Sequence, residues 1–141
     1  MTNAASNQSV ATPATPASDP PAAVLAREVL DQLGELNSDD DPGALAQLFH
    51  IYLRVSQEQM DALRLAVAAA DAPAIERAAH SLKSGSGSIG ALTMSAVCAQ
   101  LEAAARSATG AEAHEIVARL EPEYARVRAA LYAEIARFDA P

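Results

Sequence analysis

The 141-residue chain has no tryptophan, one cysteine and only 4% aromatic residues. A single cysteine allows no internal disulfide, which fits a reducing cytoplasm and leaves packing alone to hold a core. No Lys/Arg cluster offsets the formal net charge of −8. Nucleic-acid binding needs a positive surface to displace counterions, so that class is excluded, and an anionic membrane would repel the chain as well. No stretch approaches the ~20 apolar residues of a membrane span. The N-terminus lacks the basic and apolar regions of a signal peptide. Val, Ile and Thr never gather into alternating runs bounded by turn residues, so strands find no support.

What the chain does have is alanine, with Leu, Glu, Gln and Arg behind it, and these are good helix formers. Its length suits one domain able to bury a core without metals. The class is all-α. Residues 1–20 are Ala, Pro, Ser, Thr and Asn with almost no charge. They bury too little to offset their ordering entropy and read as a disordered linker, of the kind that tethers a domain to something larger. The domain is residues 21–141.

Apolar periodicity predicts a short first helix over 21–36 and a second over 42–70, where Asp41 and Pro42 read as a capping acid and first-turn proline. Asp71 and Pro73 start a third helix in the same way. A fourth spans 91–107 with Met94, Val97, Cys98 and Leu101 inward. Thr109 and Gly110 make the last turn, and a fifth helix runs over 111–138, where Pro122 should kink or split it. Short loops between long amphipathic helices imply an antiparallel up-down-up-down four-helix bundle with an additional short N-terminal helix.

The informative stretch is 72–91. Wound at about 100° per residue, it puts Ile75, Ala78, Ala79, Leu82, Ser86 and Ile89 on a core side. His80, Lys83, Ser84 and Gly87 fall together on the outward side. Gly85 and Gly87 each cost a helix about 1 kcal/mol relative to alanine. Either the helix ends early, near Ser84, or the small residues give another protein's backbone clearance to the imidazole. An exposed neutral imidazole is a good nucleophile near neutral pH and forms a phosphoramidate on attacking phosphorus. Lys83 can place a compact positive charge beside phosphoryl oxygens. Glu76, one turn before, could orient the ring, and Arg77 could add positive charge. No phosphate-binding loop or kinase motif is present, so a phosphoryl group must arrive already activated on a partner.

The run Ala79-His80-Ser81-Leu82-Lys83, the small residues from Ser84 to Ser88, and Ile89-Gly90-Ala91 together resemble the signature of histidine-containing phosphotransfer (HPt) domains. Asp40-Asp41-Pro42 and the segment Val97 to Glu102 sit where that family carries similar segments. The resemblance covers roughly residues 25–138. It implies that His80 exchanges a phosphoryl group with the aspartate of a response-regulator receiver domain and that Lys83 assists at the phosphate. The surface meeting the partner would be Glu76, Arg77, Ser81, Ser84 and Gly87. It further implies Mg²⁺ on the receiver and no cofactor on this chain. A hybrid sensor histidine kinase, in cis or trans, is a further implied partner, and the location would be cytoplasmic, including the cytoplasmic C-terminal part of a membrane-bound kinase. Ser84 departs from the family, where glycine usually follows the lysine. A carrier of this kind has no turnover of its own, so "enzyme" fits it poorly.

Two other readings compete. One is a helical adaptor that binds receivers without taking phosphate; the other is a small hydrolase using His80, for which no Arg clamp or metal cluster speaks. His50 and His114 have no second ligand at helical spacing. Cys98 reads as an inert core thiol, Asp39 to Asp41 as a cap and solvated turn, and Tyr124 and Phe138 as core fillers.

Overall fold

The structure is a computed structural model that describes residues 23–107 and 110–139. The expected linker over 1–20 and Thr109 of the expected last turn lie outside those residues. The described residues form five helices: α1 (Arg27–Leu33), continued by a 3-10 turn (Gly34–Leu36), α2 (Ala44–Ala68), α3 (Ala72–Ser88), α4 (Leu92–Ser107) and α5 (Gly110–Asp139). No strand occurs among them, in agreement with the all-α expectation.

α2 packs on α3, α3 on α4, α4 on α5, and α5 returns to α2. The four long helices therefore enclose one core. Phe49, Met60 and Leu63 of α2, Leu82 of α3, Met94 and Leu101 of α4, and Leu120, Val127 and Leu131 of α5 are fully buried in it. Each such side chain contributes about 1.5–3 kcal/mol by leaving water. These are largely the stripes that the three- and four-residue apolar spacing marks out.

Three local starts and stops differ from expectation. α1 begins only at Arg27, because Ala26 is extended (φ −67°, ψ 120°). There the Ala26 amide donates to the Gly90 carbonyl at 2.9 Å, and Arg27 reaches Glu134 of α5 at 3.3 Å. Gly90 sits at φ +87°, and a Cβ there would lie 3.1 Å from the Val29 Cβ and 3.2 Å from the Ala26 nitrogen. Glycine is therefore required where α1 meets the α3–α4 turn.

α2 starts at Ala44 with Gly43 as its cap residue and no capping side chain there. Asp41 and Pro42 lie before it. The amide of Leu45 donates instead to Asn37 Oδ1 at 2.9 Å, from eight residues upstream, and the Asp41 amide is taken by Ser38 Oγ at 3.0 Å. A side chain folded back across the turn does the work expected of the aspartate.

α5 runs unbroken through Pro122. Pro122 is exposed, while Leu120 and Tyr124 on either side are buried, so packing carries the helix past the missing amide. Tyr124 is a core residue, its hydroxyl 2.9 Å from Ser56 Oγ. Phe138 is less so: it stacks on Phe49, centroids 6.3 Å apart, but remains 43% exposed. Among the described residues no helix is long and apolar enough to cross a membrane.

Candidate functional site

α3 opens as its sequence suggests. Asp71 Oδ1 accepts the Ala74 amide at 3.2 Å, and proline stands in the first turn. Ile75, Ala78, Ala79, Leu82 and Ser86 face the core. Helical structure persists to Ser88, so the Gly/Ser run does not end the helix at Ser84. Ser86 is a polar residue on an apolar stripe, and Tyr52 satisfies it, hydroxyl to hydroxyl at 2.9 Å. Burial pushes the Tyr52 phenol up to about 12, so this contact stays neutral.

The two glycines turn toward neighbouring helices. A Cβ on Gly85 would touch the Tyr52 ring at 3.7 Å, and one on Gly87 would meet Ser95 Oγ at 3.4 Å. That Ser95 hydroxyl donates to the Lys83 carbonyl at 2.9 Å. Gly87 thus lies against α4 beside the lysine, while Ser81, Ser84 and Ser88 are the small residues left exposed.

His80 projects from α3 with its side chain 64% exposed. Its Nδ1 lies 2.9 Å from Oε2 of Glu102 on α4. The other carboxylate oxygen, Oε1, accepts a hydrogen bond from Lys83 Nζ at 2.6 Å. The Glu102 side chain is only 9% exposed. The hydrogen bond from Lys83 holds its carboxyl below the usual range, with His80 adding to the effect and desolvation opposing it. An ionised carboxylate has no proton to donate, so Nδ1 must carry the hydrogen. In the neutral form of the ring the lone pair then falls on Nε2, the nitrogen turned away from Glu102.

Arg106, one turn beyond Glu102, completes the cluster. Its Nη1 pairs with Glu76 Oε2 at 2.9 Å and stands 3.8 Å from Glu102 Oε2. Glu76 therefore belongs to Arg106, and Glu102 is the carboxylate that orients the imidazole. Arg77 is exposed, as are Ser81 and Ser84; Gly87 is half-buried. In the sequence Glu102 stands only as the end of the segment 97–102, on the flank of an apolar stripe, with no role assigned to it. Its partner lies 22 residues away, beyond any local spacing rule. Cys98 is fully buried, its thiol pushed up to about 12 by desolvation, as an inert core thiol should be. Among the described residues no group of His, Cys, Asp or Glu could hold a metal ion.

An outward imidazole, oriented from behind by a carboxylate and flanked by a lysine on a helical bundle, is an arrangement chemically able to carry a phosphoryl group. The chain belongs to the Hpt domain family, whose model matches residues 47–130. It is similar to histidine-containing phosphotransfer protein B (HptB) of Pseudomonas aeruginosa PAO1, known from a crystal structure. The two share 32% identity with a TM-score of 0.75, covering 82% of this chain and 97% of that one. A comparison with curated proteins gives no match.

Proposed function

We propose that this chain is a phosphorelay intermediate that accepts a phosphoryl group on His80 Nε2 from a receiver-domain aspartyl phosphate and returns it to a receiver aspartate. The observation that carries the reading is the Nδ1 contact with Glu102. In the neutral ring it keeps the hydrogen on Nδ1 and the lone pair on Nε2, so attack by that form requires no base. As the Nε2–P bond forms, the P–O bond to the aspartate breaks and its electron pair leaves on the carboxylate. The ring becomes cationic, the Nδ1 proton stays in place, and Glu102 stabilises it. Lys83 supplies positive charge to the phosphoryl oxygens, and the metal ion expected in the complex belongs to the receiver.

The helices read as an antiparallel up-down-up-down bundle. Arg64 pairs with Glu121 while Phe49 stacks on Phe138, and Glu76 pairs with Arg106 while His80 meets Glu102. In both cases residue numbers rise on one helix as they fall on the other. Beside the histidine, Val55 of α2 and Ser81 and Gly85 of α3 line a shallow cleft. Ile51, one turn before Val55, is 47% exposed. This apolar border together with Arg77, Ser81 and Ser84 is the surface we assign to the receiver.

The test is transfer from a receiver carrying radiolabelled aspartyl phosphate, with Mg²⁺ present. Acid-labile, alkali-stable label should appear on this chain and be absent from His80→Gln. Equal labelling of that variant sinks the assignment, and binding without transfer from several receivers would make the chain an adaptor.

A further inference from the structure

The site holds more charge than the transfer needs. Lys83 is the chain's single lysine, and its ammonium is committed to Glu102 at 2.6 Å. A phosphoryl group on His80 requires that ammonium for itself. If Lys83 turns away, Glu102 keeps the Nδ1 contact to His80 on Oε2 but loses the partner of Oε1 while remaining 9% exposed. A buried carboxylate stripped of one of its charge-assisted hydrogen bonds is costly. Arg106 stands beside the same carboxylate, against the oxygen shared with His80, within reach of a small swing onto it. It lies on the same helix at i+4 from Glu102, Nη1 3.8 Å from Oε2. It is 57% exposed and bound meanwhile to Glu76, itself 37% exposed. Glu76 can be released into water at little cost, which Glu102 cannot.

Resting on the phosphorelay reading, we propose that Arg106 is a positioning residue: on phosphorylation it moves from Glu76 to Glu102 and so frees Lys83 for the phosphoryl group. The types of side chain suit the exchange. A lysine is a point charge on a flexible stem, and an arginine fork can hold two carboxylates at once, as Arg106 nearly does here.

The experiment is a double-mutant cycle on the full chain. Arg106→Ala should slow transfer from a labelled receiver to His80 by about threefold to tenfold, and Arg106→Lys should recover part of the loss. In a Glu102→Gln background, which keeps an acceptor for Nδ1 but deletes the charge, Arg106→Ala should change nothing further. Equal slowing in both backgrounds would mean that Arg106 touches the partner directly, and no slowing in either would mean that it does nothing; each overturns the proposal. A second readout separates this idea from the relay itself. Phosphoramidate, a small-molecule donor, can phosphorylate His80 without any receiver. The one lysine side-chain ¹⁵N resonance should then shift in the wild type, and shift less in Arg106→Ala. Phosphorylation with no lysine shift, or the same shift in both proteins, refutes the exchange even where receivers transfer normally. A wild type that phosphoramidate labels but receivers do not would sink the relay and leave the exchange standing or falling on its resonance. A wild type that neither donor labels would sink both.

Discussion

Between the four long helices, the described residues place a carboxylate bound to a cation on two seams, α2–α5 and α3–α4, and these are built to opposite ends. On the α2–α5 seam, Arg64 grips Glu121 with two hydrogen bonds, Nε to Oε2 at 2.8 Å and Nη2 to Oε1 at 2.7 Å. Its third nitrogen, Nη1, holds Asp61 at 2.8 Å. On the α3–α4 seam, Glu102 is shared between His80 and Lys83, with Arg106 at its edge. Hydrogen bonding to the cation depresses both carboxyls below their ordinary range. The difference lies in the cation. A planar fork matched to a carboxylate fixes register and stays, whereas an ammonium on a flexible stem can leave. One seam is a clamp and the other a reserve.

The largest effect expected from breaking this contrast is at Lys83. Lys83→Ala should slow transfer to His80 on the order of 10²-fold, the usual cost of deleting a group aimed at developing charge. The midpoint of thermal unfolding should fall by a few degrees as well, because Glu102 loses its hydrogen-bonded cation while 9% exposed. Lys83→Arg imports the clamp into the reserve: a fork locked on Glu102 should cost about tenfold in transfer rate despite an unchanged charge. If Lys83→Arg transfers like the wild type, the distinction between the two seams is wrong.

The opposite exchange should be mild. Arg64→Lys loses the bidentate grip at a pair that is 39% and 37% exposed, so urea unfolding should show a loss of at most about 1 kcal/mol, and transfer kinetics none. Acid titration sharpens the point further. Since Glu102 and Glu121 are depressed in the folded chain, the stability they add is complete above the ordinary glutamate value of about 4.3. It is lost as pH falls through their lower folded-state values. Urea midpoints measured across an acid series should therefore decline less steeply for Glu121→Gln than for the wild type. The smallest effect belongs to the turn that hands α2 over to α3. Ala70 sits at φ 53°, a left-handed conformation that glycine adopts freely, so Ala70→Gly should raise stability by about 0.5 kcal/mol.

The same contrast separates what the sequence disclosed from what it hid. Helix number, the inward stripes, the Asp71 cap and the outward placement of His80 and Lys83 follow from spacings of three and four, and local periodicity reveals those. The relations that failed or were missed are nonlocal. Glu76 is one turn from His80 and looked like its orienting acid, but the ring turns to a carboxylate on the next helix. The Asp41–Pro42 start yielded to an asparagine folded back from residue 37. Pro122 did not split α5, because burial on either side outweighs one absent hydrogen bond. Gly87, read as part of the outward face beside His80, is half-buried against Ser95 of α4.

That the chain contains one lysine also makes the site its own recorder. A reagent that modifies amines will find, besides the terminal amine, a single side chain, and that side chain reacts only when it lets go of its proton and of Glu102. The speed of such labelling counts how often the pair opens. A property otherwise seen only through a partner's chemistry becomes measurable on the isolated protein, one residue at a time.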